Sequence, residues 1–132
     1  MPFNENILEL AEANPWFRKV VATGPNTQVV VMSLPPGGEI GMETHPDVDQ
    51  VLVFVSGEGA AILDGKRSKV GPGSLVQVPA GTRHNFVNTG LKDLRLYTVY
   101  APPEHQPGTI HRTKADADAD KSDVKPEVAG AR

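Results

Sequence analysis

Apolar and polar residues alternate over short stretches in the middle of this chain, and clusters of Gly, Pro, Asn and Asp separate one stretch from the next. An alternation with a period of two residues is typical of β-strands that bury one face. The pattern predicts strands at Trp16–Ala22, Gln28–Leu34, Glu39–Thr44, Gln50–Ser56, Ala60–Leu63, Lys66–Val70, Ser74–Val78, His84–Asn88 and Lys92–Tyr100. Short strands joined by tight turns predict an all-β sandwich or barrel over residues 16–101.

The first fifteen residues follow a helical period instead. One side of this segment is apolar and is formed by Ile7, Leu8, Leu10 and Ala11. The spacing predicts a short helix from Asn4 to Asn14, with Asn4 as its N-cap. Pro15 ends the helix, because the residue before a proline is disfavoured in the helical conformation.

After Tyr100 the strand pattern stops, and residues 102–132 are predicted to form an irregular arm with an acidic, mobile tail. The arm carries two histidines, His105 and His111. A surface role is the prediction for both, although an arm folded over the barrel mouth would bring one toward a substrate.

Two motifs bounded by glycines carry the candidate chemistry. The first comprises Gly37, Glu43, His45, Gln50 and Gly57, and the second comprises Gly73, Pro79, Gly81, His84 and Asn88. Their spacing resembles that of the cupin family, whose motifs are written G-x5-H-x-H-x4-E-x6-G and G-x5-P-x-G-x2-H-x3-N. The resemblance implies a double-stranded β-helix, which is a jelly-roll barrel.

Membership of that family implies one metal ion held inside the barrel by side chains of both motifs. The matching residues here are Glu43, His45, Gln50 and His84, with Glu43 in the place of the usual first histidine and Gln50 in that of the acid. The chain has no cysteine, so its ligands are nitrogen and oxygen atoms, which suit Mn, Fe, Ni, Co or Zn. The alternative is a cupin that has lost its metal at the two substituted positions.

Other residues are candidates for the surroundings of the site. Phe54, Phe86 and Tyr97 are predicted to line a pocket, although scattered aromatic residues in a β-core are also ordinary packing. Asp47 and Asp49 flank the loop before Gln50 and are candidates to hydrogen-bond the ligands. Capping of the turn between His45 and Gln50 is the more frequent role of such aspartates.

Composition excludes several classes of function. The formal net charge is −3 and the pI is about 5.8, which favours neither a nucleic-acid partner nor an anionic membrane surface. The N-terminus has no basic start followed by an apolar run, and no apolar run approaches a membrane span. The expectation is a cytoplasmic protein that binds a small molecule.

A predicted strand around Val51 and Val53 is apolar on both faces. In a strand with one face exposed to water, apolar residues alternate with polar ones. This strand does not alternate in that way, so another layer must cover these valines. A homodimer is expected to supply that cover. The alternative is that the helix at residues 5–13 supplies it.

Three functions are compatible with these observations. The first is a metalloenzyme acting on a small oxygenated metabolite as an isomerase, lyase or dioxygenase, with a sugar-phosphate isomerase among the options. The second is a non-catalytic barrel that binds or senses a small molecule. The third is a structural module that acts through its arm and tail. The first is preferred, because two complete motifs place four candidate ligands in one barrel.

Overall fold

The computed structural model describes residues 2–120. The strands of this part are β1 (Arg18–Thr23), β2 (Gln28–Leu34), β3 (Asp49–Ser56), β4 (Gly59–Leu63), β5 (Lys66–Val70), β6 (Leu75–Val78), β7 (His84–Asn88), β8 (Leu94–Ala101) and β9 (Ile110–His111). The helices are α1 (Ile7–Ala13) and α2 (Lys114–Ala119). Neither helix is long and apolar enough to cross a membrane. The prediction of an all-β fold with a short N-terminal helix is confirmed.

The strands form two antiparallel sheets. One has the order β6-β3-β8-β2-β1-β9, and the other has the order β5-β4-β7. Phe54 of the larger sheet and Phe86 of the smaller one have ring centroids 5.7 Å apart, so the inner faces of the two sheets pack together. Burial in β8 alternates strictly from Leu94 to Ala101, as the period of two predicts. The core lies between the sheets.

The predicted strand Glu39–Thr44 does not form. Only single bridges remain there, from Glu39 to Val87 and from Glu43 to His84. Gly41 between them has a φ of 111°, and its N–H donates to the side-chain oxygen of Asn85 at 2.8 Å rather than to a neighbouring strand. A side chain therefore takes the hydrogen bond that a continuous ladder would have used, and the segment stays irregular.

The motif glycines are turn residues, as expected. Gly37, Gly57, Gly73 and Gly81 have φ values of 78°, 88°, 87° and 88°. At Gly57 the close approach is also steric, because a Cβ there would lie 2.5 Å from the carbonyl oxygen of Asp93. These positions need glycine for the backbone, not for chemistry.

Helix α1 begins two residues later than an Asn4 cap would require. Its N-cap is Asn6, whose side chain accepts a hydrogen bond from the N–H of Glu9, so the prediction of Asn4 was wrong. The helix contacts β2, β3 and β8 of the larger sheet, with Ala11 fully buried. The helix thus covers part of the face that carries Val51 and Val53, as the alternative to a dimer proposed.

The arm is more regular than predicted. It adds β9 to the edge of the larger sheet beside β1, and it then forms α2, which is capped by Thr113. The sequence of this helix alternates Ala and Asp and contains neither Gly nor Pro. Its first turn is capped, because the Thr113 hydroxyl accepts a hydrogen bond from the N–H of Asp116. The predicted mobility of the tail concerns mostly residues 121–132, which lie outside the described residues.

Candidate functional site

The two motifs are joined by backbone hydrogen bonds at one end of the barrel. The N–H groups of Glu43 and His84 each donate to the other residue's carbonyl oxygen at 2.9 Å, and the N–H of Gly81 donates to the carbonyl oxygen of His45 at 2.8 Å. The segment from residue 39 to 45 therefore lies directly beside β7. This contact brings together side chains that are some forty residues apart in the sequence.

Glu43, His45 and His84 form a cluster whose potential ligand atoms all lie within 4.8 Å of one another. Glu43 Oε1 is 3.0 Å from His45 Nε2, and the two imidazole centroids are 5.2 Å apart. Both histidines are buried, whereas the Glu43 side chain keeps 31% of its surface exposed. Three of the four ligands predicted from the motifs thus lie close together. The partly exposed Glu43 side chain is the member of this cluster that contacts solvent.

The ring of His84 is oriented by the backbone. Its Nδ1 lies 2.8 Å from the carbonyl oxygen of Thr82, to which a protonated Nδ1 donates, and Nε2 then carries the free lone pair. Burial lowers the pKa of His84 and outweighs the opposing effects of the Thr82 carbonyl and of Glu43. A neutral imidazole with a free Nε2 is the form that binds a cation.

Glu43 is ionised at all ordinary pH values. Burial by itself raises the pKa of this carboxyl. The hydrogen bond and charge of His45, together with the charges of Arg18 and His84, outweigh burial and lower the pKa to about 2. The cluster therefore contains one permanent negative charge beside two imidazoles.

Gln50 lies on β3 opposite Tyr100 of β8, whose ring contacts the His45 ring at 6.1 Å. The amide nitrogen of Gln50 donates to Thr98 Oγ1 at 3.1 Å, and this hydrogen bond fixes the plane of the amide. Its Oε1 is buried and has no hydrogen-bond partner among the described residues. A buried amide oxygen without a partner is costly unless a cation or a donor pairs with it.

A cavity of about 110 Å³ adjoins the cluster. Its polar walls are formed by Arg18, Glu43, His45, Glu104, His105 and Asp118. A larger surface depression of about 510 Å³ is lined by different residues, among them Glu58 and Lys92. Of the four candidate ligands, Glu43 and His45 line the cavity of about 110 Å³.

The arm supplies two residues of the cavity wall, Glu104 and His105, which lie outside both sequence motifs. Glu104 is 1% exposed and its Oε2 lies 3.5 Å from His45 Nδ1. His105 is 5% exposed and packs edge-on against Tyr100, with centroids 5.2 Å apart. The surface role predicted for His105 was therefore wrong. The signal available in the sequence was the pair of prolines on either side of Glu104–Gln106, which favours a rigid turn rather than a loose arm.

A surface role for His111 was also wrong, because this residue is 4% exposed. Its Nδ1 lies 3.2 Å from an Nη of Arg18, and its Nε2 lies 2.7 Å from Asp120. Arg18 is itself buried, and its Nε has no hydrogen-bond partner among residues 2–120. The arm and β1 together hold a buried cation at the cavity wall.

The predicted pocket residues lie elsewhere. Phe54 and Phe86 are core side chains, and only Phe86 approaches the cluster, with its centroid 6.1 Å from that of His84. Tyr97 is half-buried on the opposite face of β8 from Tyr100, because side chains alternate along a strand. None of the three lines the cavity beside the cluster.

The two aspartates of the loop before Gln50 are exposed. Asp49 accepts a hydrogen bond from the N–H of Ala80 at 2.8 Å, which fastens β3 to the turn of the second motif. Asp47 lies in the turn after Pro46. Both positions match the turn role better than a contact with the ligands.

These residues fit a divalent metal ion. The cluster offers a carboxylate and two imidazoles, and Gln50 of β3 has a buried amide oxygen without a hydrogen-bond partner in the part of the chain that the structure describes. Nitrogen and oxygen donors in this proportion suit Mn, Fe, Co, Ni or Zn.

Comparisons with known proteins agree with this geometry. A family model described as a cupin domain matches residues 30–100. A crystal structure of a Bacillus halodurans protein superposes with a TM-score of 0.90 at 40% identity, covering 91% of this chain and 96% of that one.

Two curated relatives are longer than this chain. The uncharacterized protein YrkC of Bacillus subtilis is 44% identical over 122 residues, which cover 88% of this chain and 66% of that protein. The oxalate-binding protein of Thermotoga maritima is 31% identical over 68 residues, which cover 52% of this chain and 56% of that protein. The chain thus spans less than two thirds of the length of either relative.

Proposed function

The chain belongs to the cupin family, and from that premise we propose that it is a metal-dependent enzyme acting on a small oxygenated metabolite. The observation that carries the proposal is the convergence of Glu43, His45 and His84 within 4.8 Å of one another, with Glu43 and His45 in the wall of a cavity. A structural core cluster would not place an ionised carboxylate and two imidazoles beside an opening to solvent.

Glu43, His45 and His84 would hold one divalent ion, with Gln50 as the fourth ligand. A bound ion of this kind would supply Lewis acidity, which polarises substrate oxygen atoms. With three or four protein ligands, coordination positions remain for the substrate. The amide of Gln50 is a weaker donor than the carboxylate usual at its motif position, so it is the ligand most easily displaced.

Residues around the cluster would bind and orient the substrate. Arg18 offers a buried guanidinium at the cavity wall, which suits an anionic oxygen. His105 gives the opposite, arm-derived wall an imidazole that can donate or accept a proton. The arm as a whole excludes water from this side of the cluster.

The size of the cavity limits the substrate. About 110 Å³ corresponds to roughly four water molecules at ~30 Å³ each. A small acid fits within this volume, whereas a sugar phosphate would extend beyond it. The arginines that a phosphate would need are also dispersed, since Arg95 bonds the carbonyl oxygen of Glu12 and Arg83 is exposed. A sugar-phosphate isomerase is thus the least favoured of the enzyme options.

The relative named as an oxalate-binding protein supports small carboxylic acids as the first substrates to test. The reaction is then a lyase, isomerase or dioxygenase step on such an acid. Turnover that requires dioxygen distinguishes the dioxygenase from the other two.

The same relative favours a second function, non-catalytic binding of a small acid. That protein is named for binding and not for catalysis. In this case the cluster and Arg18 would hold the ligand without any bond being broken.

The decisive experiment measures metal content and turnover on protein purified without a histidine tag. We expect about one divalent ion per chain by elemental analysis, and loss of that ion in His84→Ala. Oxalate and related small acids are then incubated with the metal-loaded protein, with and without oxygen and with a chelator. Product that disappears on chelation supports the enzyme.

The control is Asp47→Asn, which removes an exposed carboxylate of the loop and no candidate ligand. It should retain the metal. Stabilisation of the protein by oxalate without product would establish the binding function instead. Absence of metal after incubation with each ion in turn would contradict the metal-dependent enzyme and leave the binding function.

A further inference from the structure

We propose that Glu104 is a positioning residue for the metal site: its carboxylate holds the proton of His45 on Nδ1, so that Nε2 presents its lone pair to the ion. The proposal rests on the metal-dependent function proposed above. It assigns a role to the arm, which lies outside both motifs of the family.

The geometry around His45 carries the inference. Glu104 Oε2 lies 3.5 Å from Nδ1, and Glu43 Oε1 lies 3.0 Å from Nε2. The ring thus stands between two carboxylates, one on each nitrogen. Glu43 belongs to the ligand cluster, whereas Glu104 lies on the far side of the ring, where no ion that binds Nε2 can reach it.

Each histidine of the cluster has an oxygen atom near its Nδ1. Nδ1 of His84 lies 2.8 Å from the carbonyl oxygen of Thr82. The carboxylate of Glu104 approaches Nδ1 of His45 at the longer distance of 3.5 Å, which is the limit for a hydrogen bond. An acceptor on one ring nitrogen selects the tautomer and orientation of the other, and a carboxylate also makes the ligating nitrogen more basic.

Glu104 is held in place by a buried glutamine of β2. Gln28 is fully buried, and its Oε1 accepts from the N–H groups of Glu104 at 3.2 Å and His105 at 2.9 Å. Its Nε2 donates to the carbonyl oxygen of His105 at 2.7 Å. Three hydrogen bonds to one side chain fix the backbone on both sides of the Glu104 Cα. The backbone that carries this buried carboxylate is therefore fixed, which places the carboxylate beside the His45 ring.

The test compares Glu104→Gln with wild type by titrating the metal-free proteins with Zn²⁺ or Mn²⁺ alone. Gln keeps the size of the side chain but loses its charge. We expect the metal affinity to fall by about 10-fold to about 100-fold, the usual effect of removing a partner of a ligating histidine. Asp118→Asn is the matched control, because Asp118 lines the same cavity but pairs with Lys114 at 2.8 Å and not with His45.

A second measurement does not depend on metal. Imidazole ¹H–¹⁵N spectra of the metal-free proteins report the protonation of each nitrogen of His45 separately. Glu104→Gln should lower the protonation of Nδ1, whereas Nε2 keeps its contact with Glu43 at 3.0 Å. An equal loss of affinity in Asp118→Asn, or unchanged His45 resonances, would overturn the role of Glu104. If wild type binds no metal, the proposed function fails, and the spectra alone decide whether Glu104 orients the ring.

Discussion

At the scale of residues, the cluster shows how neighbours set the charge of each group. Glu43 remains ionised because the cationic and hydrogen-bonding groups around it outweigh its burial. His84 remains neutral because burial disfavours its charged form more than Glu43 favours it. An ionised carboxylate beside a neutral imidazole is the protonation state that a divalent ion requires. The environment of the site therefore prepares it for a cation before one binds.

The lowered pKa of His84 predicts a pH dependence of stability in the metal-free protein. In the unfolded chain this group titrates near 6.5, above its folded pKa. The unfolded state therefore takes up protons first as the pH falls below 6.5, and the free energy of unfolding decreases. Urea unfolding with EDTA between neutral pH and mildly acidic pH should show this decrease. His84→Gln should show a shallower one, and equal slopes in the two proteins would contradict the assignment.

At the scale of elements, the arm is the part of the fold that completes the site. Residues 102–119 bring Glu104 and His105 to the cavity and then add β9 and α2 against β1. The arm has no extended pairing over residues 102–109, where Gln28 supplies the hydrogen bonds instead. One side chain therefore replaces a stretch of sheet in holding this segment.

Substitution of Gln28 should loosen the arm. Gln28→Leu keeps the volume but leaves buried N–H groups of Glu104 and His105 without an acceptor, which costs about 1–3 kcal/mol of unfolding free energy. Urea denaturation measures the loss, and hydrogen exchange at residues 104 and 105 localises it. Gln77→Leu, at an exposed glutamine of β6, should stay within ~0.5 kcal/mol of wild type. Equal effects of the two substitutions would refute the clamping role.

At the scale of the whole molecule, a double-stranded β-helix of two facing sheets leaves one outer face partly apolar. Helix α1 covers part of the larger sheet, yet Val51 and Val53 remain half-buried, and Leu75 opposite Val53 is 63% exposed. Apolar groups grouped on one face favour association. The homodimer expected from the sequence therefore stays a prediction, as does the cytoplasmic location.

Sedimentation velocity tests the dimer. We expect wild type to sediment as a dimer and Leu75→Lys to sediment as a monomer, because a charge would then be buried at the contact. Leu91→Lys is the control, since Leu91 is 97% exposed and lies in the loop between β7 and β8, away from Leu75 of β6. A monomeric wild type would contradict the dimer. A dimer unaffected by Leu75→Lys would show that the contact lies elsewhere.

The sequence by itself determined the barrel and most of its site. The short runs between turn residues located β2, β5 and β7 at their observed bounds. The resemblance of the two motifs to those of the cupin family identified Glu43, His45 and His84 as candidate ligands. Both depend on local geometry, which neighbouring residues specify.

Only the tertiary structure decided the rest. The segment from Glu39 to Thr44 has a strand-like pattern, but the side chain of Asn85, more than forty residues away, takes the hydrogen bond of Gly41. Glu104 reaches His45 only because Gln28, 76 residues earlier, binds its backbone. Contacts of this kind join residues distant in sequence and leave no periodicity behind them. The ligands were therefore visible in the sequence, and the residue that orients one of them was not.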